Sequence, residues 1–368
     1  MPKARGDRGC CDHCAGATGT ADAARVARRR LLKDAVFRPQ ATLAPEAGRR
    51  GRADPARMTG APVASWMAGI GADDEARLPR AVSGTVLDVS PNVLMLGEPG
   101  GRPGSEQRFA LTSDALTWRG ARIEPTSLRQ GDRAVIRLHP TRRGVADRIW
   151  ANIGRVTGTI IEHTSEYVVV DEGATRRRQI VVIPPRAAGR IQVRFPTLQP
   201  GYLIDVIGLR GPDLLEALIP ATSQPAYPAD RLPQAPLVSG HVLDAISGSA
   251  TWHEADDEPV GVLGVSYPAL DPATGCVEDA IRGHERGYAR MPYLAVGSVL
   301  RVRNECNGAS AALPVTGCAA VARLFNDRCV TCGTSPRGRV ADLTQASFVA
   351  LGGELDVGCF NATITIGR

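Results

Sequence analysis

The chain has 368 residues, enough for two or three domains with cores of their own. Only 4% are aromatic, while Gly and Pro number 40 and 27, a balance that favours short strands and turns over long helices. The formal charge of +6 is local: residues 1–80 hold fifteen Lys/Arg against nine Asp/Glu, and residues 81–368 balance at 29 of each, which argues against a nucleic-acid footprint on the folded part. No apolar run of about eighteen residues occurs, so no membrane-spanning helix is expected.

Residues 1–80 are rich in Ala, Arg, Gly and Pro with poor periodicity, and read as a disordered, Arg-rich leader with one short helix over 21–36. Within it, "ARRRLLKD" (27–34) has the twin-arginine pattern of an export signal, but the apolar stretch such a signal needs does not follow at once. The best apolar candidate is "APVASWMAGIGA" at 61–72. The same leader carries Cys10, Cys11, His13 and Cys14 in a cramped "CCDHC", whose surroundings suggest no metal-binding fold.

Order is expected from Val82 onward, and it begins with a repeat. "VSGTVLDVSPNVLMLGEP" (82–99) is echoed by "VTGTIIEHTSEYVVVDEG" (156–173), and the copies close on "LRQGDRAVIRL" and "LQPGYLIDVIG". The offset is 74 residues between Gly84 and Gly158 and 70 between Gly131 and Gly201. β-Branched residues alternate with polar ones between Gly, Pro and Asn, which is the signature of strands and turns. About seventy residues suit a small five- or six-stranded barrel, so 81–153 and 154–222 are read as two tandem barrels. These copies resemble small bacterial barrel domains of unknown function that recur on exported proteins. Trp118 and Trp150 are read as core, and the arginine runs at 142–143 and 176–178 as solvated faces. Pro-rich residues 223–237 are read as a stiff linker into a last domain, 238–368.

That last domain holds six cysteines: Cys276, Cys306, Cys318, Cys329, Cys332 and Cys359. A zinc site would show two close pairs, and only Cys329/Cys332 is one. A thioredoxin-like dithiol would need a βαβ context, which is missing. The six are therefore read as a disulfide framework formed in an oxidising compartment, with its connectivity open. Secretion or cell-surface display follows as an expectation.

Around these cysteines lie "SGSATWHEA" (247–255), "YLAVGSVLRVRNECNGASAALPV" (293–315), "VARLFNDRCVTCG" (321–333), "GRVADLTQASFVALGG" (338–353) and "VGCFNATITI" (357–366). The order of these pieces resembles the double-psi β-barrel of the rare lipoprotein A family and its expansin and barwin relatives. The matching positions are Gly297, Val299, Arg301, Val302, Asn304, Asn307, Gly308, Asn326, Asp327, Arg328, Asp342, Leu343 and Gly352. The resemblance covers about residues 245–366, and its weight lies in the combination of motifs. The alternating pattern agrees with it: "SVLRVRN" alternates as a strand, Asn307-Gly308 forms a turn, and "DLTQASFVALGG" is a short helix capped by Thr344 and stopped by Gly352. The expected fold is all-β: two small tandem barrels followed by a six-stranded double-psi barrel with one short helix.

The resemblance implies a polysaccharide ligand, above all cell-wall peptidoglycan. In its lytic members the Asp of the "NDR" motif is a general acid on a glycosidic bond, a role that falls on Asp327. The family's second acid falls near Glu278 and Asp279. The His that lytic members carry ahead of "LPFGT" is replaced by Met291, which exchanges no proton, and His284 and Glu285 lie a little upstream. Asn326, Arg328, Trp252, His253 and Asp342 are candidate substrate-binding residues. Each has a competing reading: Asp327 may hold a loop through backbone hydrogen bonds, Trp252 may be core, and Asp342 may serve the helix that follows. Without the His, the expansin-like reading of a wall-binding barrel without efficient catalysis is preferred. The alternatives are a peptidoglycan lytic transglycosylase and a structural surface or appendage protein. No cofactor and no metal are expected.

Overall fold

The computed structural model describes residues 81–98, 106–173, 176–224, 228–231, 245–254, 262–268, 270, 294–319 and 338–366. The leader, Asn326, Asp327, Arg328, Glu278, Asp279, Met291, Cys276, Cys329 and Cys332 lie outside them. The architecture is the expected one, two small barrels followed by a six-stranded mixed barrel, with few and short helices.

Barrel 1 contains β1 (Ala81–Val89), β2 (Val93–Gly97), β3 (Gln107–Trp118), β4 (Arg122–Ile123), β5 (Arg133–Leu138) and β6 (Val145–Ala151). Five strands close in the order β1-β2-β3-β6-β5, with β4 appended to β3. Only the β3–β6 pairing is parallel. Alternating residues Val86, Leu94, Leu96, Phe109, Ile136 and Ile149 turn inward to fill the barrel.

Barrel 2 contains β7 (Ile153–His163), β8 (Val168–Asp171), β9 (Gln179–Val182), α1 (Pro185–Arg194), β10 (Leu203–Arg210) and β11 (Leu214–Pro220). It closes as β7-β8-β9-β11-β10 with β9–β11 parallel, the same circuit as barrel 1. The repeat in the sequence is thus a repeat in backbone contacts. Gly131 and Gly201 both adopt left-handed φ, +90° and +93°, where glycine alone is unstrained. From there Gly131 donates its N–H to Val86 O at 2.9 Å, and Gly201 donates to Ile160 O at 2.8 Å. Val86 and Ile160 return N–H bonds to Asp132 O and Tyr202 O, both at 2.8 Å. Gly84 and Gly158 match as well, since a Cβ there would lie 2.7 Å from Gly97 O and 2.3 Å from Asp171 O. The copies differ where barrel 1 has a 3-10 turn at Pro125–Ser127 and barrel 2 has α1.

A single residue, Asn152, joins β6 to β7. It sits at φ 50°, a left-handed conformation that Asn tolerates better than most residues. Its side chain accepts from Arg133 N at 2.8 Å and donates to Asp132 Oδ1 at 2.7 Å, so the junction is fixed. Beyond barrel 2, part of the proline-rich stretch is held against that barrel. Gln224 Nε2 donates to Thr197 O and Leu203 O at 2.8 and 2.9 Å, and Ala229 N donates to Gly201 O at 2.8 Å.

Barrel 3 contains β12 (Ala245–His253), β13 (Val265–Tyr267), β14 (Val299–Asn304), β15 (Ser310–Cys318), β16 (Arg339–Thr344), α2 (Gln345–Ala350) and β17 (Cys359–Ile366). Its strands close as β12-β16-β13-β15-β14-β17, with β12–β16 and β13–β15 parallel. Thr344 caps α2, its hydroxyl accepting from Ser347 N at 3.2 Å. Gly352 at φ 78° ends the turn that follows, and Phe348, Val349 and Leu351 are fully buried. The asparagines of the "NECNG" turn brace the same helix end: Asn304 Nδ2 and Asn307 Nδ2 donate to Leu351 O at 2.9 and 3.0 Å.

The six-cysteine framework needs correction at two positions. Cys306 and Cys359 take no part in a disulfide, whereas Cys318 is disulfide-bonded. Placement explains the first two: Cys359 is buried on β17 opposite Thr251, and Cys306 is exposed on the turn after β14.

The barrels do not hang as beads. The largest apolar cluster joins Trp118, Val135 and Trp150 of barrel 1, Ile153, Ile207 and Ala221 of barrel 2, and the core of barrel 3. Helix α2 packs on β1 and β5. Beside it, Trp150 Nε1 donates to Asp356 Oδ1 at 2.7 Å, Arg148 bridges to Asp356 at 3.0 Å and to Glu354 at 2.9 Å, and Arg137 reaches Glu354 at 2.6 Å. Both guanidinium groups lie over the Trp150 ring, at 5.4 and 5.9 Å.

Candidate functional site at the seam of barrels 2 and 3

Of the residues singled out in the sequence, the structure brings three together: Trp252 and His253 at the end of β12, and Asp342 on β16. The parallel register sets Thr251 beside Asp342 and Trp252 beside Leu343. Thr251 Oγ1 donates to Asp342 Oδ1 at 2.8 Å. The other carboxylate oxygen faces His253 Nδ1 at 3.6 Å and Arg176 Nη2 at 3.7 Å. Arg176 comes from barrel 2, so it is a seam residue, while its neighbours Arg177 and Arg178 are exposed as the sequence suggested.

Trp252 and His253 face inward rather than onto an open groove. Trp252 is 1% exposed, donates Nε1–H to Leu355 O at 3.0 Å, and lies under the Arg155 guanidinium of barrel 2, 5.6 Å from the ring centroid. His253 is 5% exposed. Sugar-stacking faces must be open, so Trp252 here acts as packing.

Below this group lies a buried charge hub that sequence reasoning missed. Asp205 on β10 is wholly buried. Arg155 on β7 grips it in a bidentate pair, Nε to Oδ1 at 2.8 Å and Nη2 to Oδ2 at 2.6 Å. Arg339, from β16 of barrel 3, reaches Oδ2 at 2.6 Å. The hydroxyls of Thr157 and Thr222 add bonds of 2.8 and 2.9 Å, and Arg155 Nη1 crosses the seam to Gly358 O at 2.5 Å. Burial alone would push the Asp205 carboxyl up, but the two arginines and these hydrogen bonds hold it well below the carboxylate range. One carboxylate thus serves arginines from two barrels.

A second charged group lies nearer the solvent. Arg210 Nε donates to Glu254 Oε2 at 2.8 Å, and Arg210 Nη1 donates to Gln179 Oε1 at 3.0 Å. Glu172 Oε1 accepts from Thr157 N at 3.0 Å. Burial pushes the Glu172 carboxyl up to about 7, against the pull of Arg176 and Arg210. Burial, with Arg176 adding repulsion, lowers His253 to about 4, so its imidazole is neutral at pH 7. For Asp342, burial is outweighed by His253 and the arginines at 176, 155 and 339, which keep it ionised.

These shifts oppose each other in pH. His253 binds fewer protons folded than unfolded, so it costs stability as pH falls from its ordinary 6.5 to about 4. Glu172 binds more protons folded, so its contribution is present below its ordinary 4.5 and lost as pH rises through about 7. Each is worth on the order of 3 kcal/mol at 1.36 kcal/mol per pH unit, and they offset each other where their windows overlap. The expected result is a nearly flat urea-midpoint profile for the wild type between pH 6.5 and 4.5. His253→Gln should instead gain stability as the pH is lowered through that range. Parallel profiles for the two proteins would refute the assignment.

Among the described residues no group of His, Cys, Asp and Glu is placed to hold a metal ion, and no helix is long and apolar enough to cross a membrane. No family model matches the chain, and no curated protein matches it in sequence.

Proposed function

We propose that the chain is a cell-envelope protein that binds a wall polysaccharide through barrel 3 without cleaving it efficiently. The observation that carries this reading is the closed six-stranded mixed barrel, in which the "NECNG" turn and the "DLT" helix are locked together through Leu351 O. Such bracing leaves the far end of the barrel, which carries Asn326, Asp327 and Arg328 in sequence, as the place for a glycan. The state of Asp342 weighs against general acid catalysis at that residue. Held ionised beside a neutral His253, it has no proton to donate to a leaving oxygen near pH 7.

The charged seam favours a second reading, a rigid structural surface protein, because the Trp252 end of barrel 3 is used for docking barrel 2. Co-sedimentation of the full chain with insoluble peptidoglycan, scored together with released fragments, separates the readings. Wild type is expected to pellet with the wall and release nothing, and Asp327→Asn to bind about tenfold less, the worth of one charge-assisted hydrogen bond. Release by wild type alone would make the chain a lytic enzyme. Neither binding nor release would leave the structural reading.

A further inference from the structure

The seam contains one guanidinium with two carboxylates to choose from. Arg176 pairs with Asp342 across the seam at 3.7 Å, a long contact, with 22% of its side chain still exposed. It also acts electrostatically on Glu172 in its own barrel. Its hold on Asp342 is therefore set by the charge on Glu172. We propose that Arg176 is a proton-controlled latch: while Glu172 is protonated, Arg176 stays on Asp342 and closes barrel 2 over His253, and when Glu172 ionises, Arg176 withdraws to it and opens that end of barrel 3.

The surrounding charges fit this role. Glu172, just after β8, is faced by Thr157 N on β7, by Arg176 in the segment before β9, by Arg210 on β10 and by Glu254 on β12. Arg210 is already committed to Glu254, Gln179 and Arg155 O, so its guanidinium has little left for a new carboxylate. Arg176 is the less committed cation. Asp342 is faced by His253 on β12, Arg155 on β7 and Arg339 on β16, besides Arg176. Arg155 and Arg339 are both bound to Asp205, and Thr251 still holds Asp342 Oδ1. Losing Arg176 therefore leaves Asp342 anchored and ionised, and removes only the cross-seam contact. Burial places the Glu172 transition near pH 7, where a modest change of pH moves the latch.

Carbethoxylation of the full-length chain by diethyl pyrocarbonate reads the latch. His253, 5% exposed, is the reporter, and exposed His163 on β7 is the internal standard, with both rates expressed per neutral imidazole. Between about pH 6 and about pH 8 the ionised share of Glu172 rises roughly tenfold, and the His253/His163 ratio should rise by about the same factor. Glu172→Gln keeps the acceptor for Thr157 N but has no charge to gain, so its ratio should stay low at both pH values. Arg176→Gln should give a high ratio at both. A flat wild-type ratio, an equal rise in Glu172→Gln, or a His253 still shielded in Arg176→Gln would each overturn the proposal. Far-ultraviolet circular dichroism of each variant excludes a loss of fold as the source of reactivity.

Discussion

Asp205→Ala is expected to lower the stability of the chain by about 3–5 kcal/mol, the cost of breaking a buried ion pair from one side. The substitution would leave Arg155 and Arg339, each with 1% of its side chain exposed, charged in the interior without their shared acceptor. It would also strand the hydroxyls of Thr157 and Thr222. A urea midpoint measured at neutral pH reads the loss. A triple change, Asp205→Ala with Arg155→Met and Arg339→Met, should recover much of it, because removing the whole buried group also removes the cost of burying charge. A single-variant loss of under about 1 kcal/mol, the range of exposed pairs, would show that the hub is screened by water. In acid the hub fails in a defined direction. Asp205 is held below its ordinary 3.8, so its contribution is intact above that value and is lost as the pH falls further.

Barrel 3 cut out as residues 238–368 should not fold cooperatively, while 81–368 should. Within the large shared cluster, barrel 3 is sealed by Trp118, Val135, Trp150, Ile153, Ile207 and Ala221 from the other barrels. Uncovering one large apolar side chain costs roughly 1.5–3 kcal/mol, and several are uncovered at once. The fragment also keeps Arg339 in its wall without Asp205, and Trp252 without Arg155 above it. Together these losses match the roughly 5–15 kcal/mol by which a domain is stable. The expected signs are dye binding to exposed apolar surface and a broad thermal transition. A sharp transition in the fragment would show that the seam is dispensable.

The barrels were legible because the information for them is local. Strand alternation, the paired glycines 84 and 158, the turn glycines 131 and 201, and the Thr344 cap each act within a hairpin or a helical turn. The seam was not legible, because its partners are far apart along the chain. Asp205 meets Arg155 over 50 residues and Arg339 over 134, and no periodicity links them. Arg176, first in a run of three arginines, shows how a solvated face and a seam contact look alike in sequence. For the same reason Trp252 and His253 suggest a groove in a lone barrel. Their burial depends on arginines supplied by the barrel before it. The cysteines misled differently, since spacing gives no sign that one thiol points into a wall and another into solvent.

The hub at Asp205 also bears on ancestry. A carboxylate that answers to arginines on two barrels ties three codons together, so substitutions at 155, 205 and 339 are tolerated only in concert. A homologous lineage that dispensed with the second barrel would have no use for a cation at 339 and would carry an apolar residue there. The pairing of Arg339 with Asp205 then dates the fusion of these modules, because neither residue is favoured before the two surfaces met.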